Sequence, residues 1–248
     1  MPHTRGKRYA VVSCHVERPL DDRCWSLFSS LQARHPGGFR ITALMRPPDP
    51  EAREDEGLWL ERARAATAHG PLGHHTHFVS PGHARPIAGG PENAERVRRE
   101  AAWLREVGLA PSLFCGGGWY LDESVAAVLA ELGYADSTAT AFRPAYLPPG
   151  AQRLQLSERA WLSLADGRRL LELPTTHSLG MAARALFGPL PEHLHVYFHD
   201  TDLLSARRRA ALHAVLAVLG RRCTPTDVGA LASEPAPLRR FSEVASGP

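Results

Sequence analysis

Five side chains of this sequence are of types that hold a metal or move a proton, and each sits in or just after a short apolar run: His15, Glu17, His75, His77 and His199. Residues two apart on an extended strand face the same side. His15 and Glu17 therefore share a face in 11–17, His75 and His77 share one in 72–78, and His199 closes 196–199. Strands whose ends converge would gather these groups into one pocket, where α/β folds place their chemistry. Glu17, His75 and His77 supply one carboxylate and two imidazoles, a set that suits Zn²⁺ with an open position for a water that ionises near neutral pH. The expectation is a mononuclear metal hydrolase; the competing reading is a buried His–Glu hydrogen bond among core histidines.

Further groups could take roles around that centre. His15 is placed to be a fourth ligand or a general base, because an imidazole titrates at about 6.5 when unperturbed. His199 is followed by Asp200 and Asp202 and could pass a proton to a leaving amine, with Asp202 orienting the ring. A solvated acidic turn would give the same pattern. Gly117, Trp119 and Tyr120 could line a sugar-binding groove, aromatic faces packing on a pyranose while glycine keeps the floor low. A turn packed by two aromatics is the alternative.

Alternating strand-like and helical segments position these groups, and they argue for an α/β fold with a largely parallel sheet. Cys24, Trp25, Leu27, Phe28 and Leu31 form a helical stripe ended by Pro36-Gly37-Gly38. Segment 39–45 reads as a strand, 57–69 as a helix and 92–107 as a charged helix, with Ala94, Val97, Ala101 and Leu104 on its buried side. Segments 111–115, 170–173 and 195–199 read as strands, and 123–132 and 207–219 as helices. The Pro/Gly-rich stretch 80–91 is a long loop directly after His77, of a kind that tends to be functional. Segment 134–161 is expected to be irregular, and 233–248 to be a poorly ordered tail, leaving 1–232 as one domain.

The chain has 248 residues, 44% of them hydrophobic, and a formal charge of +3. That is enough for one sizeable core, and the weak, unclustered charge argues against nucleic acid as a partner. Lys7 is the only lysine, which removes Schiff-base, P-loop and carbamylated-lysine chemistry from the body of the chain. No apolar run reaches the roughly 18 residues of a membrane span. The start of the chain lacks a signal-peptide core, and Cys14, Cys24, Cys115 and Cys223 form no CxxC pair. These features lead to the expectation of reduced thiols in a cytoplasmic protein. GxGxxG, GxSxG, HExxH and Walker-type patterns do not occur.

In their order, the segments resemble the NodB-like polysaccharide deacetylases of carbohydrate esterase family four, roughly from Tyr9 to Leu219. Val12-Ser13-Cys14-His15-Val16-Glu17 is similar to the first motif, which carries the base and one metal ligand. Gly73-His74-His75-Thr76 resembles the second, which supplies histidine ligands. Phe114-Cys115-Gly116-Gly117-Gly118-Trp119-Tyr120 resembles the third, Leu171-Glu172-Leu173-Pro174 the fourth, and Tyr197-Phe198-His199-Asp200 the last, with its catalytic histidine. The resemblance implies a distorted (β/α) barrel of six or seven mostly parallel strands, one divalent metal ion such as Zn²⁺, a glycan or other small-molecule substrate and removal of an N- or O-acetyl group.

Three positions depart from the family pattern. His15 stands at the base aspartate, Cys115 at the arginine that pairs with it, and Val79 where a second histidine ligand is usual. An imidazole base needs no guanidinium beside it, so the first two changes are chemically coherent. By this reading His77, or else His83, replaces the missing ligand, and Arg143 is a candidate for the absent cation. Two other outcomes stay open: a barrel that binds a ligand or partner without hydrolysis, and a mononuclear amidase or phosphoesterase of another substrate class.

Overall fold

The computed structural model describes residues 8–246. Strands β1 (Tyr9–Val16), β2 (Thr42–Met45), β3 (Leu72–Thr76), β4 (Leu113–Gly116) and β5 (Ala135–Asp136) alternate with helices α1 (Asp22–Ala33), α2 (Glu56–Thr67), α3 (Pro91–Glu106) and α4 (Glu123–Leu132). After them come β6 (Arg153–Leu154), β7 (Ala160–Ser163), β8 (Arg169–Glu172), β9 (His177–Ser178), α5 (Leu179–Ala185), β10 (His193–His199) and α6 (Ala206–Arg222). The chain ends in β11 (Thr224–Pro225), α7 (Val228–Ala232), β12 (Leu238–Arg240), α8 (Phe241–Val244) and β13 (Ala245–Ser246).

The main sheet runs β12-β7-β8-β5-β4-β3-β2-β1-β10-β9, and every pairing from β8 to β9 is parallel. Its ladder does not close. Residues 173–176 span the gap by single bonds, Leu173 N–H donating to Asp136 and Thr176 N–H to His195. Side chains from strands far apart in that order, among them Val11, Leu44, Leu113, Leu171 and Tyr197, meet in one buried cluster. A flat sheet could not bring them together, so the sheet curls into an open barrel with this cluster inside.

Strand parity decides what lies inside. On β1, Ala10, Val12, Cys14 and Val16 pack outward under the helices, while Val11 faces the interior with Ser13 and His15. On β10, Leu194, Val196 and Phe198 pack outward and Tyr197 inward. Helix starts are fixed by side chains that accept from backbone N–H groups: Asp21 from Cys24, Asp55 from Leu58, Asp122 from Val125 and Ser205 from Arg208. At the other end of α4, Gly133 adopts φ 77°, a left-handed cap that favours glycine.

Two expectations are corrected. Segment 134–161 is not wholly irregular: β5 inserts between β4 and β8, and without it the parallel run would break. Too short to show a period, it left no alternation to read. The end of the chain, expected to be unstructured, is placed as far as Ser246: β12 pairs with β7, β13 pairs with β6, and Phe241 is buried against the outer core. Its anchoring comes from partners about 80 residues away, which local composition cannot reveal. Among the described residues no helix is long and apolar enough to cross a membrane, and all four cysteines are free and buried.

Candidate functional site

At the C-terminal ends of β1, β3 and β10, the inward parity places His15, His75 and His199 together, and the loops that follow add Glu17 and His77. His15 and His199 are register partners on β1 and β10. The His15 ring lies 4.7 Å from that of His75 and 5.3 Å from that of His199, centroid to centroid. Glu17 reaches across: its Oε2 is 2.6 Å from His77 Nε2, and its Oε1 is 3.4 Å from His75 Nε2 and 3.8 Å from His199 Nε2.

Tautomers decide what this cluster can hold. His75 Nδ1 lies 2.7 Å from the Cys115 carbonyl and His77 Nδ1 lies 2.9 Å from the Pro81 carbonyl, so each ring donates its proton there. The two Nε2 atoms then carry lone pairs, and both are buried without a hydrogen-bond partner. They face a carboxylate, which offers only more lone pairs. The alternative, two adjacent imidazolium rings with centroids 5.1 Å apart, would put like charges together in a buried place. A single divalent cation satisfies all three ligands, and the backbone bonds on the far nitrogens are the usual way to orient such rings. The donor set therefore fits a metal ion.

Two other groupings overlap this one: His15 with His75 and Cys115, and His15 with Glu17 and His199. Burial pushes the Cys115 thiol well above its ordinary value, so its sulfur is a protonated neighbour, 3.9 Å from His15 Nε2. Burial also lowers His15, helped by His75 and His199, and lowers His199 against the pull of Glu17 and Asp202. Both rings rest neutral.

The cluster opens on a cleft of about 480 Å³ walled by His15, Glu17, His75, His83, Arg85, Trp119, Tyr146 and His199. Trp119 belongs to this wall. Its φ of 57° and the 62° of Gly118 make a left-handed pair, a conformation that costs a non-glycine residue about 1–3 kcal/mol. Neither Gly117 nor Gly118 leaves room for a side chain: a Cβ at Gly117 would lie 2.5 Å from the Thr76 carbonyl, and one at Gly118 would lie 2.4 Å from Arg85.

Several sequence expectations change here. Tyr120 turns away from the cleft, its hydroxyl donating to Asp122 at 2.6 Å and its ring packing on Phe78. Gly117 is buried under the loop, and Gly118 takes its place on the cleft wall. Asp202 does not hold the His199 ring: the closest ring approach is 3.9 Å, and its carboxylate accepts instead from the His199 backbone N–H and from Arg208. His83 is exposed and outside the ligand groupings among the described residues, so His77 completes the cluster. Arg143 is exposed and donates to the Pro148 carbonyl, and no arginine takes the place beside His15 that Cys115 occupies.

Arg85, Tyr146 and Tyr197 were not foreseen. Arg85 donates to the carbonyls of Gly118 and Gln152 and lies over the Tyr120 ring, tying the 80–91 loop to the glycine turn. Tyr197, two residues before His199, shares its parity and packs inside the barrel against Trp119 and Phe142.

Comparison with known proteins gives no matching family model and no matching curated protein. Solved structures do match. A family 4 carbohydrate esterase from Streptomyces lividans, in complex with acetate, is 13% identical over 94% of this chain and 98% of its own, with a TM-score of 0.52. A mutant of a family 4 pseudoenzyme with restored activity is 7% identical over 98% of this chain and 68% of its own, with a TM-score of 0.51. The fold is that of the NodB-like deacetylases. It extends further, since a 4-alpha-glucanotransferase from Thermococcus litoralis gives a TM-score of 0.57 at 13% identity, covering 93% of this chain. This chain spans only 39% of that enzyme's length.

Proposed function

We propose that the chain is a metal-dependent hydrolase that removes an acetyl or similar acyl group from the nitrogen or oxygen of a sugar. One observation carries the reading: the Nε2 atoms of His75 and His77, each ring having its Nδ1 turned to a backbone carbonyl, converge on the Glu17 carboxylate. Glu17, His75 and His77 would hold the ion. When bound, a divalent ion with an open position polarises an acyl carbonyl and makes water a nucleophile at neutral pH.

This chain's own residues would supply the rest. His15, 3% exposed and neutral, can take a proton from the attacking water, and Glu17 stabilises the resulting imidazolium. The His199 side chain is 36% exposed on the cleft, the better placed of the two to deliver a proton to the leaving atom. Because His199 also rests neutral, it cannot donate until the water's proton has reached the histidine pair. Tyr146, 63% exposed, is the aromatic face that the cleft offers to a pyranose, and Trp119, 3% exposed, backs the wall behind it.

The likeness to a glucanotransferase raises glycosidic-bond chemistry as a rival. That chemistry uses two carboxyl groups flanking the bond. Glu17 is the one carboxylate on the described wall of the cleft, and Asp202 is engaged by Arg208. Binding without turnover is the stronger rival, favoured by the exchange of an acid base for His15 and of its cationic partner for Cys115.

Metal analysis of the purified protein, paired with acetate release from a panel of N- and O-acetylated sugars, tests the reading. About one equivalent of Zn²⁺ and release that disappears with chelation are expected. Metal without any turnover would favour the binding reading, and absence of metal affinity would overturn the hydrolase reading.

A further inference from the structure

His199 is a dividing wall as well as part of the centre, because a second cleft of about 470 Å³ opens on its other side. That lobe is walled by Tyr197, Leu179, Asp202, Arg207 and Arg208 as well as His199. Its chemistry differs from that of the first lobe. Tyr197 is about nine-tenths buried, and its hydroxyl finds no hydrogen-bond partner among the described residues. Arg208 is balanced by Asp202, whose Oδ1 it meets at 2.5 Å. Arg207, next to it, is exposed and makes no ion pair among the described residues. The lobe thus holds one guanidinium unbalanced by a carboxylate and one phenol hydroxyl, on a largely buried ring, that makes no hydrogen bond among the described residues, beside the ring that faces the reacting bond. Arginine matches a phosphate with two parallel hydrogen bonds, and a phenol adds a third donor.

From these features we infer that the second lobe is an anion subsite, and that the acylated sugar carries a phosphate group seated on Arg207 and the Tyr197 hydroxyl. The substrate class is then a small sugar phosphate or nucleotide-linked sugar in place of a neutral polymer. The identity of the acyl sugar rests on the deacylase reading above, whereas binding of the phosphate does not.

Calorimetry on the purified protein, with N-acetylglucosamine 1-phosphate and N-acetylglucosamine as probes, tests this with and without added Zn²⁺. The phosphorylated sugar should bind at least about tenfold more tightly, and 0.5 M salt should erase most of the difference. Arg207→Ala should abolish the preference, while Arg221→Ala, the same charge change at the far end of α6, should leave it. Equal affinity for the two sugars, or an equal loss in both variants, overturns the inference even if acetate is released from neutral substrates. If no acetate is released from any substrate but the Arg207-dependent preference persists, the subsite stands and the hydrolase reading falls.

Discussion

Two histidine–carboxylate clusters lie on opposite faces of β3, one residue apart in sequence, and only one lacks protons. On the outer face, His74 Nε2 lies 2.8 Å from Glu100 Oε2, Thr76 donates to the same oxygen at 2.7 Å, and Arg96 Nε donates to the other at 2.9 Å. That carboxylate is filled by donors. On the inner face, Glu17 meets two rings whose protons already go to backbone carbonyls. Residue types are the same in both places. What separates a structural anchor from a candidate metal site is the donor count around the carboxylate, and this is set by parity and by where the next strand's carbonyls fall.

The largest effect that could break the comparison is on the metal. His75→Ala or His77→Ala should reduce metal affinity and any acyl release by more than the roughly 10–100-fold typical of losing an outer partner of a ligand. Equilibrium dialysis with Zn²⁺ and acetate assays check it. Affinity unchanged in either variant would remove the distinction between the two faces. Thermal stability without metal should fall too, by the cost of a buried ring and of its Nδ1 hydrogen bond to a backbone carbonyl, so the metal titration is the reading that separates the two faces.

A third carboxyl cluster sharpens the contrast through pH. Asp136 and Glu172 are register partners on β5 and β8, fully buried, and Oδ2 of one and Oε2 of the other have no donor. Thr138 donates to Asp136 Oδ1 and the Ala139 N–H to Glu172 Oε1, but no cation or imidazole is recorded against either. Such a pair keeps a proton: burial pushes Asp136 up to about 6 and, with Asp136 beside it, Glu172 well above its ordinary value. Both groups are raised above their unfolded values near 4, so their stabilising contribution is present below pH 4 and is lost as pH rises through about 6 and beyond. Asp136→Asn should flatten that fall and raise stability at pH 8 by roughly 2–3 kcal/mol. Melting temperatures across pH 4–8 for the two proteins check it, and parallel curves would refute the shared proton.

Glu100→Ala should cost about 1–3 kcal/mol, because it strands the donors of His74, Thr76 and Arg96 near the core, while Zn²⁺ affinity stays unchanged. Denaturant unfolding beside a metal titration reads both. The metal titration should separate the faces: alanine on the inner face demetallates, and alanine on the outer face destabilises without touching Zn²⁺ affinity.

Much of the inner cluster was legible in the sequence because parity needs only two-residue spacing inside an apolar run. That rule accounts for His15, His75 and His199, and Glu17 and His77, each the residue just past its strand, fall into the same cluster. It could not place residues whose position depends on a loop. Tyr120 shares the glycine turn with Trp119, yet the left-handed step at Gly118 and Trp119 sends the two rings to opposite sides. Arg85 sits in a segment without a period, and its role comes from carbonyls at Gly118 and Gln152 that no spacing rule connects to it. The parallel sheet followed from alternating segments and its curl only from the family resemblance, while β5, β12 and β13 followed from neither, being two or three residues long and held by distant partners.

The smallest effect concerns Asp202. A ring-orienting carboxylate, once changed to its amide, costs orders of magnitude because the wrong tautomer is held. Here the ring-to-carboxylate distance is 3.9 Å, and Asp202 instead accepts from the His199 backbone at 3.0 Å and from Arg208. The amide oxygen of Asp202→Asn can still accept one of those bonds, so acyl release should fall only a few-fold, with the pH profile unmoved. It should also free Arg208, adding a second unbalanced guanidinium to the lobe beside Tyr197, and binding of a sugar phosphate should tighten. A loss of about a thousandfold with unchanged folding would mean that the side chain swings onto the ring during the reaction, and His199 would then be an oriented acid and not a free one.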